Sequence, residues 1–108
     1  AVVARVRELI ARGNAQCILG NHELNILRGS HKSGNRWFLD PAHPEQQIGG
    51  EFAHCAPVEG TASGEVLEFF ATLPLALERA DLRIVHAAWH TEAIDAVRGA
   101  SGTALSLY

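Results

Sequence analysis

Apolar positions fall into several distinct rhythms along the chain. Val2, Val3, Val6, Leu9 and Ile10 recur at helical spacing, with Arg5, Arg7, Glu8 and Arg12 between them. That is the stripe of an amphipathic helix facing a core, and Gly13 suits its C-terminal stop. Ala15 to Leu19 is a short, largely apolar run and reads as a buried strand of the parallel kind. His22 to Leu27 predicts a second helix, with Leu24, Ile26 and Leu27 apolar and Gly29 ending it. Val66, Leu67, Phe69 and Phe70 predict a core helix over 66–73 that stops before Pro74. Two extended runs follow, Leu75 to Glu78 and Leu82 to Ala87, around the polar break Arg79-Ala80-Asp81, and they predict a hairpin. Thr91 is placed to cap a last helix, Glu92 to Arg98, with Glu92 in its first turn. The closing stretch GASGTALSLY reads as a weak tail. A helix, a tight turn and a buried strand in succession form half of a layered α/β unit.

Between these elements the pattern breaks. Residues 29–64 are rich in Gly, Pro, Ser and His, and the stretch is too long for an ordinary connection. Trp37, Phe38, Leu39, Ile48 and Phe52 give it apolar anchors, so it reads as an ordered, cap-like insertion rather than a free tail. With no internal repeat, the 108 residues form one domain or part of one.

Composition changes this picture little. The chain is 47% hydrophobic, enough for a core, and its net charge of -3 gives no electrostatic case for nucleic acid or an anionic membrane surface. No apolar run is long enough to span a bilayer. Cys17 and Cys55 make a poor disulfide framework, and Cys17 sits in an apolar run as a buried thiol, so a reducing, cytoplasmic setting is expected. The chain has no Met and opens directly on a helical pattern, which suggests a piece of a longer protein.

Candidate chemistry lies where apolar runs end. Cys17-Ile18-Leu19 leads into Gly20-Asn21-His22-Glu23, and Ile84-Val85 leads into His86, followed by the small residues Ala87 and Ala88. Ligands in open α/β sheets bind at the carboxyl ends of strands. Asn21 offers an amide oxygen and His86 an imidazole nitrogen, and both suit a first-row divalent metal. Two ligands are fewer than the three a catalytic centre needs. The plain structural alternatives are that Asn21 caps a helix or turn and that His86 is a hydrogen-bonded core histidine. His31, His43, His54 and His90 read as surface or loop residues, Trp37 and Trp89 as packing anchors, and Asp40 and Glu51 as solvated loop charges. His54-Cys55 has no second pair at zinc spacing.

Leu19-Gly20-Asn21-His22-Glu23 followed by Arg83-Ile84-Val85-His86-Ala87-Ala88-Trp89 resembles the calcineurin-like metallophosphoesterase superfamily. Within it, the likeness is to the phosphoprotein-phosphatase branch, which includes bacterial Ser/Thr phosphatases and the diadenosine tetraphosphatase type. With the opening helix and the hairpin it covers roughly two thirds of the chain. The resemblance implies part of a layered β-sandwich flanked by helices and two divalent metals, manganese first, with iron or zinc also fitting. It makes Asn21 and His86 ligands of the second metal and His22 the proton donor to the leaving oxygen. Glu23 and Gly20 stand behind the ligands and orient them. The substrate it implies is a phosphorylated protein or a nucleotide-type small molecule, with no nucleic acid or membrane partner. The family's Asp-x-His, Gly-Asp-x-x-Asp-Arg and Gly-His motifs do not occur in these residues, Leu19 stands where a basic residue is common, and His86-Ala87-Ala88 stands where His-Ala-Gly is frequent. The isolated chain is therefore expected to be inactive, and a sheet lacking its first strands is expected to self-associate. A non-catalytic module acting through 29–64 is the alternative. A generic nucleotide-binding unit ranks last, since neither GxGxxG nor GxxxxGK[ST] occurs.

Overall fold

The computed structural model describes residues 2–40, 58 and 60–107. Helix α1 (Val2–Ala11) forms on the predicted stripe. It lies shallowly: Val3 and Ile10 pack against the core, but none of its residues is buried and Val2 is 77% exposed. Glu8 bridges Arg5 and Arg12 on its solvent side, each pair adding about 0.3–0.5 kcal/mol. Helix α2 (Asn21–Leu27) includes Asn21 as its first residue, with Gly20 at the N-cap. Both helices end on a glycine in the left-handed region, Gly13 at φ 70° and Gly29 at φ 63°. In each case the glycine N–H and the next N–H fold back onto the last turn. Gly13 and Asn14 donate to Ile10 and Leu9, and Gly29 and Ser30 donate to Ile26 and Asn25. These are paired C-terminal closures that a side chain with a Cβ would strain.

A 3₁₀ turn (Ser33–Asn35) leads into the short helix α3 (Arg36–Leu39), and α4 spans Ala62–Ala71. The α4 helix starts four residues before the predicted 66 and gives way to Thr72 and Leu73 before Pro74. Strands β1 (Ala76–Arg79) and β2 (Leu82–Val85) pair antiparallel with Ala76 opposite Val85 and Arg79 opposite Leu82. Helix α5 (Thr91–Gly99) and the short α6 (Ala104–Leu107) close the chain. The cap of α5 is His90, not Thr91. His90 adopts the extended backbone an N-cap requires and accepts the Ile94 N–H through its carbonyl, while Thr91 is already helical. The supposed tail is anchored as well, because Ala104 is buried in the core.

Leu19, Ile26, Phe38, Phe70, Leu73 and Ala104 form that core. Each large side chain there contributes on the order of 1.5–3 kcal/mol through removal from water. Phe38 belongs to the start of the 29–64 insertion, so this part of the insertion is core wall rather than a separate cap. His43, Ile48, Glu51, Phe52, His54 and Cys55 lie outside the described residues.

Two further expectations are corrected. Ala15–Leu19 is partly buried, as an apolar run should be, but it joins no sheet. Leu19 N–H donates to the Pro74 carbonyl at 2.9 Å, and one such bond does not make a ladder. Among the described residues the sole sheet is the two-stranded hairpin, so no layered β-sandwich is seen, and the fold is mostly helical. No helix there is long and apolar enough to cross a membrane.

Candidate metal centre where Gly20 meets His86

Three local features bring the two chain ends of the motif together. The Leu19–Pro74 hydrogen bond fastens the segment before α2 to the residue just ahead of the hairpin. The hairpin register sets Val85 opposite Ala76, near that fastening, so His86 leaves β2 beside Gly20. Gly20 then admits the His86 ring. A Cβ on Gly20 would lie 3.1 Å from both Cε1 and Nδ1 of His86, and 2.8 Å from Oε2 of Glu23. The backbone of Gly20 is extended (φ −100°, ψ 179°), so steric clearance rather than conformation selects glycine here.

Asn21 Oδ1 and His86 Nε2 stand 3.1 Å apart, although 65 residues separate them in sequence. Since Gly20 holds the cap position and Asn21 is helical, the Asn21 side chain makes no cap; it reaches His86. His86 is exposed rather than a core histidine. A 3.1 Å separation has two chemical meanings. With a proton on Nε2 it is a hydrogen bond to the amide oxygen. With the lone pair on Nε2 it is the spacing of two donors on one divalent ion, since ligands at about 2.1 Å and a right angle stand about 3.0 Å apart. The pair therefore fits one edge of a metal's coordination shell. Among the described residues no group of three His, Cys, Asp or Glu side chains could hold a metal.

Glu23 accepts the Gly20 N–H at 3.0 Å through Oε2. Three residues into α2, it satisfies an amide at the helix start and carries negative charge where the helix dipole favours it. Its side chain thereby braces the glycine on which the His86 ring rests. His22, on the same turn, is half-buried and engaged elsewhere: its Nδ1 lies 2.7 Å from Oδ1 of Asn35. The structure thus joins Asn21 to His86, Glu23 to Gly20, and His22 to Asn35. Asn35 is the residue sequence reasoning missed. Before Arg36-Trp37-Phe38-Leu39 it reads as an ordinary helix cap, yet it makes no side-chain cap bond.

The other candidates stay peripheral. His31 and His90 are exposed, Trp89 stacks under the Arg83 guanidinium at 5.3 Å, and Cys17 is a half-buried free thiol. Compared with models of known protein families, with curated proteins and with solved structures, the chain matches none.

Proposed function

We propose that this chain carries half of the second metal site of a two-metal, calcineurin-like phosphoesterase. The observation that supports the reading is the Asn21–His86 pair. Two metal-competent donors from motifs 65 residues apart stand 3.1 Å from each other on a glycine floor. Asn21 and His86 would hold the ion, with manganese first and iron or zinc also compatible with an amide oxygen and an imidazole. When bound, paired divalent ions polarise a phosphoryl oxygen and lower the pKa of a bound water. The chain's own residues do the rest. Glu23 holds Gly20, Gly20 lets the His86 ring approach, and His22 donates a proton to the leaving oxygen. In this reading the substrate is a phosphorylated protein or a nucleotide-type phosphate ester.

The test is manganese titration by calorimetry on the whole chain, alongside Asn21→Ala and His86→Ala. Binding that disappears in both variants is the expected result. Equal affinity in all three chains overturns the assignment of these two ligands. Absence of binding even at millimolar manganese favours the second reading, a non-catalytic module that keeps the motif without a functional site. One observation favours that alternative: only two donors meet here among the described residues, against the three a catalytic centre needs.

A further inference from the structure

We propose that Asn35 is the positioning residue of His22, gripping its backbone carbonyl and its ring so that the rotation of the imidazole and its Nδ1–H tautomer are both set. Asn35 is the sole buried polar side chain among the described residues, at 1% exposure. A buried amide must find partners for both its ends, because an unmade hydrogen bond there is left with no water to replace it. Both ends are satisfied by one residue. The Nδ2 of Asn35 donates to the His22 backbone carbonyl at 3.1 Å, and its Oδ1 faces His22 Nδ1 at 2.7 Å.

The logic of donors and acceptors then fixes the proton. A carbonyl oxygen only accepts, so the amide nitrogen, not its oxygen, faces the His22 backbone. The amide oxygen consequently faces the ring, and it too only accepts. His22 Nδ1 must therefore carry hydrogen, and the lone pair of the neutral ring belongs to Nε2. Because backbone and ring of the same histidine are gripped by the same amide, the ring's rotation is fixed along with its tautomer. The placement of Asn35 is a second, independent sign. It occupies the residue before α3, where an asparagine ordinarily bonds the first helical amides, and it forgoes that bond. A neutral amide also orients the ring without adding charge to it.

This inference rests on the reading of His22 as the proton donor, for which the orientation of its ring matters. The experiment is long-range ¹H–¹⁵N correlation of the histidine rings in the whole chain, in metal-free, mildly alkaline buffer, with His22→Ala to assign the signal. The wild-type chain is expected to show His22 as Nδ1–H. Asn35→Ala is expected to lose that signature, leaving the His86 and His90 signals in place. Asn35→Asp, which keeps an oxygen on Nδ1, is expected to retain the proton there. A wild-type His22 in the Nε2–H form, or an Asn35→Ala chain that keeps Nδ1–H, overturns the proposal. Should Asn35→Ala fail to fold, the wild-type spectrum and Asn35→Asp decide it. Since no metal is present, the outcome is independent of the manganese titration, and either reading can fail without the other.

Discussion

The packed region around Leu19 and the hairpin region around Glu78 are held together by different physics. In the first, Leu19, Ile26, Phe38, Phe70 and Leu73 exclude water, and Leu19 is only 1% exposed. In the second, Leu82 and Ile84 of β2 face solvent, and charge does the fastening. Glu78 on β1 receives Arg83 from β2 at 2.9 Å and Arg98 from α5, while Arg98 also meets Asp95 and Arg83 stacks on Trp89. Asn21 is anchored to the packed region and His86 to the charged one. The candidate metal pair therefore spans a strong support and a weak one, and its geometry is as durable as the weaker of the two.

Breaking the strong side has the largest effect. Phe70→Ala should cost about 3–5 kcal/mol, read as a lowered urea midpoint, and should abolish metal binding with the fold. Gly20→Ala comes next. The new Cβ would stand 2.8 Å from Glu23 Oε2 and 3.1 Å from the His86 ring, so both must give way. A loss of about 1–3 kcal/mol is expected, with manganese affinity down roughly 10–100-fold as support for the ligand fails. Wild-type affinity in a folded Gly20→Ala chain would show that His86 does not need its glycine floor. His86→Ala separates site from scaffold: because the side chain is exposed, unfolding stability should stay within about 0.5 kcal/mol of wild type while manganese binding is lost.

The smallest effect belongs to the weak side. The Arg98 guanidinium holds the Glu78 carboxyl below its ordinary 4.5, with Arg83 adding to the effect and desolvation opposing it. A carboxyl depressed in the fold stabilises at neutral pH, and that contribution is lost as pH falls below 4.5 toward the folded value. Hairpin cross-strand signals in NMR should therefore weaken on acidification before those of α2 and α4 do. Glu78→Gln should show the same loosening already at neutral pH, and a hairpin indifferent to both changes would mean that backbone pairing alone holds it.

Much of this was legible in the residues. The helical stripe of α1, the glycine stops at 13 and 29, and the hairpin around Ala80-Asp81 rest on local rules, and local rules hold wherever the chain goes. The contact between Asn21 and His86 joins residues 65 apart, and no local rule names such a pair. The run at Ala15–Leu19 misled because periodicity reports burial, whereas a strand is defined by neighbours that sequence does not name. Thr91 was passed over for His90 because a cap is set by backbone angles as much as by side-chain type. Asn35 stayed hidden for a related reason: its partner lies 13 residues back, and its local context points to a cap it does not make.

The hairpin also offers a point of access for engineering. Its turn at Ala80-Asp81 lies at the far end of β2 from His86, about 17 Å along the strand by ordinary rise per residue. Both turn residues are exposed, so a fluorophore or short tag inserted there has room, and the pairing of Ala76 with Val85 is untouched. Such a probe would report, as a change in tumbling, on whether the lever that carries His86 is docked or swinging free.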